Sequence, residues 1–276
     1  MTSLYIDWNP SDTLINLGPF PIKYYSLMFV IAFSVGWILT KKIYKNEGQP
    51  DDKLDSLFIY VVVATLVGAR LGHVFFYQPE LLKEDFFSVF LPFSFKNGFQ
   101  FTGFRGLASH GAAIGIITAM YFYSKKVLQK PILWILDRIV IAVASGAVFV
   151  RIGNFINSEI IGKATNSEFG VVFKQLGEDF PRHPAQLYES FCYVFVFLIL
   201  HYLYWKTNKS KQLGYLLGTF LVLLWTVRFF VEFVKEAQVD ERSEWILNTG
   251  QWLSVPFVII GIYLMISSSK RPLKDA

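Results

Sequence analysis

The run ILWILDRIVIAVASGAVFV at 132–150, followed directly by RIGNFINSEIIG at 151–162, decides the class of fold. The first part is long enough for a membrane-spanning helix and carries only Asp137 and Arg138 as charges. The second part puts Arg151, Asn154, Asn157 and Glu159 at the end of that apolar segment. Polar groups are costly at membrane depth, so a cluster there marks a candidate site.

Outward from this run the same pattern repeats at Tyr24 to Thr40, Leu54 to Tyr77, Leu107 to Tyr123, Ala185 to Trp205, Leu213 to Val234 and Gln251 to Ser268. The 276 residues are 53% hydrophobic and only 17% charged, against about 25% in a soluble domain. Mean hydropathy is +0.41. None of the runs alternates with the period of a barrel strand, and a helix satisfies its own backbone in lipid. The expectation is an all-α polytopic membrane protein, a bundle of seven transmembrane helices forming one domain over 1–276. The first 23 residues carry Asp7 and Asp12 and no basic cluster, unlike a cleavable signal peptide.

Basic residues set the orientation. Lys41, Lys42, Lys45 and Lys53, then Lys125, Lys126 and Lys130, then Lys206, Lys209 and Lys211, then Lys270, Arg271 and Lys274 fall in short connections on one side. By the positive-inside rule that side is cytoplasmic, so the N-terminus lies outside and the C-terminus inside. The opposite connections, 79–106, 158–184 and 235–250, are long, and long loops are where function concentrates. Phe87 to Phe104, rich in Phe, reads either as an interfacial arm or as a core-packing loop.

The basic residues left within or at the edges of helices, Arg70, Arg105, Arg138, Arg151 and Arg228, are all arginine. Arginine keeps its charge when desolvated and presents a planar fork to phosphate, so anionic headgroups lead as ligands. A pI near 9.1 needs no nucleic acid, because the basic clusters face anionic lipid. Cys192 alone builds neither an intrachain disulfide nor a thiolate metal site. No zinc spacing, nucleophile elbow or phosphate-binding glycine loop occurs.

Sorted by depth, Arg70, Arg151, Asn154, Glu159, Tyr188, Glu189, Arg228 and Glu232 gather toward the outer leaflet. Arg228 and Glu232 are spaced as an i,i+4 pair, which in water means little. Gly153, Asn154 and Asn157 also suit a plain left-handed helix cap. His110, in LASHGAAIG, is either an interhelical hydrogen-bonding histidine among small packing residues or a base kept neutral by nearby arginines. A transporter or flippase of an anionic lipid or metabolite is the alternative reading. It predicts charges along a path to both faces, whereas only Asp137 and Arg138 lie near the inner half.

RIGNFINSEIIG resembles the signature of the bacterial prolipoprotein diacylglyceryl transferases, and the resemblance extends over nearly the whole chain. It includes Tyr25 in IKYYSLMF, GARLGHVFFY around Arg70, SHGA with His110, RHPAQLYE at 182–189, and RFFVEF with Arg228 and Glu232. Ala112 stands where the family has a second glycine after the motif histidine, and Tyr24-Tyr25 replaces its aromatic-tyrosine pair; neither change removes a functional group.

The resemblance implies a multi-pass enzyme of the bacterial inner membrane with no cofactor and no metal. Its partners would be membrane lipid, namely phosphatidylglycerol, and a preprolipoprotein bearing a lipobox cysteine. The reaction would move diacylglyceryl to that cysteine as a thioether and release glycerol 1-phosphate. Tyr25, His110, Arg151, Arg228 and Glu232 match catalytic positions. Asn154, Glu159 and Gly162, with Arg70, Arg151 and Arg228, are the expected phosphatidylglycerol-binding set. Charge logic adds that Arg151 and Arg228 hold the phosphate, that Glu232 and Glu159 fix their guanidiniums, and that His110 or a residue near it takes the cysteine proton.

Overall fold

Lipid offers a backbone no hydrogen-bond partner, so the long apolar runs fold as helices. The computed structural model describes residues 5–11, 13–17, 20–91, 93–94, 98–101, 106, 108–236 and 247–273. Its helices are α1 (Tyr24–Asn46), α2 (Asp51–Tyr77), α3 (Leu81–Glu84), α4 (Phe86–Phe90), α5 (Ser109–Tyr123), α6 (Ile132–Ile156), α7 (Ala185–Lys206), α8 (Tyr215–Val231) and α9 (Thr249–Ser267). Among the described residues, five helices are long and apolar enough to cross a membrane: α1, α2, α6, α7, and α9 with its 3-10 extension. Helix α8 is apolar but shorter, and α5 runs into a π turn at Ser124–Leu128.

Burial is inverted relative to a soluble protein. Ile59, Val63, Phe76 and Ile266 are exposed, whereas Asp137, Gln186 and Glu189 are wholly buried. An apolar exterior around polar interior groups is the signature of a lipid-facing surface.

Three expectations are corrected. Helix α6 does not end at Val150 but continues to Ile156, so Arg151 and Asn154 lie on its last turns. Neither Gly153 nor Asn154 is a left-handed cap; the positive φ angles fall on Ser158 (55°) and Ile160 (57°). The chain is mostly rather than wholly helical. Strand β1 (Ile6–Trp8) pairs in parallel with β6 (Val171–Phe173), β2 (Thr13–Leu17) pairs with β3 (Phe20–Lys23), and β4 (Phe93–Ser94) pairs with β5 (Gln100–Phe101). Loop backbone outside a helix needs partners, and these short ladders supply them.

The chain forms two compact units, one of 1–40 and 136–276, the other of 41–135. In the first, a three-residue core of Phe155, Val171 and Phe173, joined by Trp8, seats the 158–184 loop against the end of α6. The Trp8 indole donates to the Phe155 carbonyl at 3.1 Å. Asp137 accepts the backbone N–H groups of Gly214 (2.6 Å) and Leu217 (2.8 Å), capping the start of α8. Arg138 donates to the Ser210 carbonyl at 3.2 Å. Both charges therefore hold backbone.

In the second unit α2 and α5 cross at backbone contact. A Cβ on Gly111 would stand 2.2 Å from the Gly68 carbonyl oxygen and 2.7 Å from the Gly72 Cα. The small residues around His110 thus do the packing work that their composition allows. Arg70, buried, donates to the carbonyls of Ser88 (2.7 Å) and Val89 (3.2 Å), tying α4 to α2.

Candidate active site

The first unit brings Tyr25, Arg151, Asn154, Glu159, Gly162, Arg228 and Glu232 together with Glu189, the last residue of RHPAQLYE, and with Lys235, which the sequence did not single out. Arg151 projects from the last turns of α6. Its Nη1 donates to the Asn154 side-chain oxygen at 3.1 Å, and its Nε lies 2.6 Å from the Glu189 carboxylate. The latter contact is a pairing of charges rather than a linear hydrogen bond, since that carboxylate oxygen has no aligned donor. Tyr193, one turn along α7 from Glu189 and buried, lies within electrostatic reach of both Arg151 and Arg228.

Asn154 continues the network by donating to Glu159 at 3.2 Å, and Asn157 donates to the other Glu159 oxygen at 3.1 Å. The Tyr25 ring packs against Gly153, beside Asn154, and lies within electrostatic reach of Arg151 and Glu159. Glu159 sits between the two left-handed residues, Ser158 and Ile160, and its carbonyl accepts from Gln186 at 2.6 Å. Holding β-branched isoleucine at positive φ is costly, and such strain persists only where surrounding contacts over-determine the loop. Here the Gln186 bond and the β-ladders do so, and the result aims an exposed carboxylate held by two amides.

The carboxylates take partners other than those expected. Glu189, not Glu159 or Glu232, meets Arg151. Glu232 caps α8 and lies 3.4 Å from the Lys235 ammonium, not against Arg228. Lys235 itself donates to Glu189 at 2.9 Å. The reason is rotational: one turn beyond Arg228 the helix ends, and Lys235 folds back toward α7 where the buried carboxylate needs a cation. A carboxylate one turn inside an apolar helix, as Glu189 is, signals such a partner in the sequence; which cation answers it is a matter of packing.

Arg228 is left differently. Its guanidinium stacks over Trp225 at 5.0 Å, its Nε is buried without a hydrogen-bond partner, and no carboxylate among the described residues pairs with it. An unsatisfied buried donor on a full charge is expensive, and an anion with oxygen acceptors is what satisfies it.

Gly162 contributes by its size. A Cβ there would stand 2.4 Å from the His183 carbonyl oxygen and 2.9 Å from that of Val234, so the 158–184 loop closes against both segments only with glycine. Its carbonyl accepts from Arg182, which also pairs with Glu178 and Glu236. Arg70 and His110 belong to the other unit. Arg70 directs donors at the carbonyls of α4, and His110 is exposed on the first turn of α5.

The profile described as prolipoprotein diacylglyceryl transferase matches residues 12–267. A protein of Chloroherpeton thalassium is 41% identical over 270 residues, 98% of this chain and 97% of the relative. One of Bacteroides fragilis is 41% identical over 97% of both chains, and one of Vibrio parahaemolyticus is 34% identical over 96% and 93%. All three bear the name phosphatidylglycerol–prolipoprotein diacylglyceryl transferase.

Proposed function

Since the chain belongs to the prolipoprotein diacylglyceryl transferase family, we propose that it transfers the diacylglyceryl group of phosphatidylglycerol to a prolipoprotein, at the site around Arg151 and Arg228. What supports the placement is the Arg228 guanidinium, which no carboxylate among the described residues pairs with, in the same unit as an Arg151 whose own charge is held by Glu189.

In this reading the lipobox cysteine loses its proton to His110 or a residue near it, and the thiolate attacks the glyceryl carbon that bears the phosphate ester. The carbon–oxygen bond breaks, a thioether forms, and glycerol 1-phosphate leaves with the electron pair. Charge builds on the departing phosphate, and Arg228 with Arg151 stabilises it there. Asn154, Tyr25 and Glu159 meet the headgroup hydroxyls, Gly162 keeps the loop closed over them, and Arg70 holds the α4 segment in place. The nucleophile comes from the substrate, so this chain needs no reactive thiol.

Seven spans, counting α5 and α8, complete the proposed topology, with the N-terminus outside, the C-terminus cytoplasmic and the site facing the outer leaflet of the bacterial inner membrane. The positive-inside distribution supports it. The transporter reading gains nothing, because Asp137 and Arg138 hold backbone groups and the relatives are named as transferases.

The test uses purified protein with labelled phosphatidylglycerol and a lipobox peptide, following appearance of lipidated peptide. Arg228→Lys keeps the charge and loses the fork, and turnover is expected to fall roughly 10- to 100-fold. Near-normal turnover overturns phosphate clamping by Arg228.

A further inference from the structure

Glu189 is the most buried charged group of the site, with no exposed side-chain surface, and it contacts two cations from different parts of the chain. One carboxylate oxygen lies 2.6 Å from Arg151 Nε on α6, and the other accepts from Lys235, beyond the end of α8, at 2.9 Å. Lys235 in turn lies 3.4 Å from Glu232. A single carboxylate on α7 therefore joins the arginine of one helix to the segment that follows Arg228 on another.

From this geometry we infer that Glu189 is a positioning residue for the transfer: it orients the Arg151 guanidinium toward the phosphate and, through Lys235, holds the Glu232 segment in register with it. Two constraints fix the guanidinium: the Nε edge against Glu189, and Nη1 on Asn154. The remaining donor edge is the one free to meet a ligand, and a planar fork acts only when its plane is set. Glu189 touches neither substrate nor the reacting carbon; it works through Arg151. A buried carboxylate with two cationic neighbours carries no net stability by necessity, since burying ions costs about as much as pairing them returns. Its orienting effect is the separate contribution.

The inference rests on Arg151 acting at the phosphate, and the experiment separates the two claims. Glu189→Gln leaves Lys235 and Arg151 with a charge excess, so the decisive variant is Glu189→Gln combined with Lys235→Met, compared with Lys235→Met alone; this pair stays internally balanced. Expected is a kcat roughly 10-fold or more lower for the double variant, with KM for phosphatidylglycerol little changed, because misorientation weakens transition-state contacts more than binding. In an Arg151→Lys background, which lacks the Nε edge, adding Glu189→Gln to Lys235→Met should lower kcat no further. Unchanged kcat in the double variant, a loss confined to KM, or full additivity with Arg151→Lys overturns the positioning role. Normal turnover of Arg151→Lys by itself overturns instead the phosphate reading on which it rests.

Discussion

The crossing of α2 and α5 offers the sharpest quantitative prediction, through Gly111→Ala. The added Cβ would stand 2.2 Å from the Gly68 carbonyl oxygen, 2.7 Å from the Gly72 Cα and 3.0 Å from the Gly72 nitrogen, whereas ordinary contact begins at 3.4 Å. All three atoms are backbone, so no side chain can swing aside and the helices must part by more than about 1 Å. Overpacking costs about 1–3 kcal/mol, and a backbone clash sits at the top of that range. Alanine returns up to about 1 kcal/mol of helix propensity, which leaves a loss of about 2 kcal/mol. For a chain of this size that is a fall of about 4–8 °C in Tm, read by thermal unfolding in detergent. Gly36→Ala is the control: its Cβ meets only the Ala142 Cβ, at 3.5 Å, and its Tm should hold or rise. His110 immediately precedes Gly111, so transferase turnover should fall with the Gly111 change at temperatures where the protein is still folded. A Tm for Gly111→Ala within about 1 °C of the parent refutes the close crossing and the reasoning built on it.

Three further outcomes follow from the same geometry. Asp137→Asn replaces one of two acceptor oxygens with a donor facing a backbone N–H of α8, and stability should drop by about 1–3 kcal/mol with KM for phosphatidylglycerol unchanged, measured by thermal unfolding and steady-state kinetics. Tyr25→Phe removes a hydroxyl proposed to meet the headgroup beside Asn154, and kcat/KM should fall about tenfold; an unaltered value removes Tyr25 from the site. Cys192→Ala should retain full turnover in the lipidation assay, since the attacking thiol is the substrate's, and a folded but inactive variant contradicts the mechanism.

Much of the fold was legible because long apolar runs in lipid have one economical backbone solution. The spans α1, α2, α6, α7 and α9 begin within a few residues of where hydropathy places them. The end of α6 was not, since Arg151 to Ile156 are polar enough to read as loop, yet they stay helical: Asn154 and Glu189 occupy the guanidinium and Trp8 donates to the Phe155 carbonyl. The short strands escaped too, because β1 and β6 are three residues each and stabilise one another only across some 160 positions of chain.

The amino-acid sequence by itself marked a helical membrane protein with arginines in its helices and pointed to Arg151, Asn154, Glu159, Arg228 and Glu232 as a candidate phosphate-directed site, but it gave no sign that a lysine, Lys235, is buried beside them. The membrane reading follows from the cost of polar groups in hydrocarbon, which acts on each residue locally, whereas the choice of site residues rests also on the family resemblance. Tertiary structure alone decided which charge answers which. Glu189 and Lys235 are 46 positions apart, and whether they meet depends on helix rotation and depth set by backbone contacts elsewhere. Among the described residues, the same packing left Arg228 without a carboxylate, and that is the feature the proposed anionic headgroup would complete.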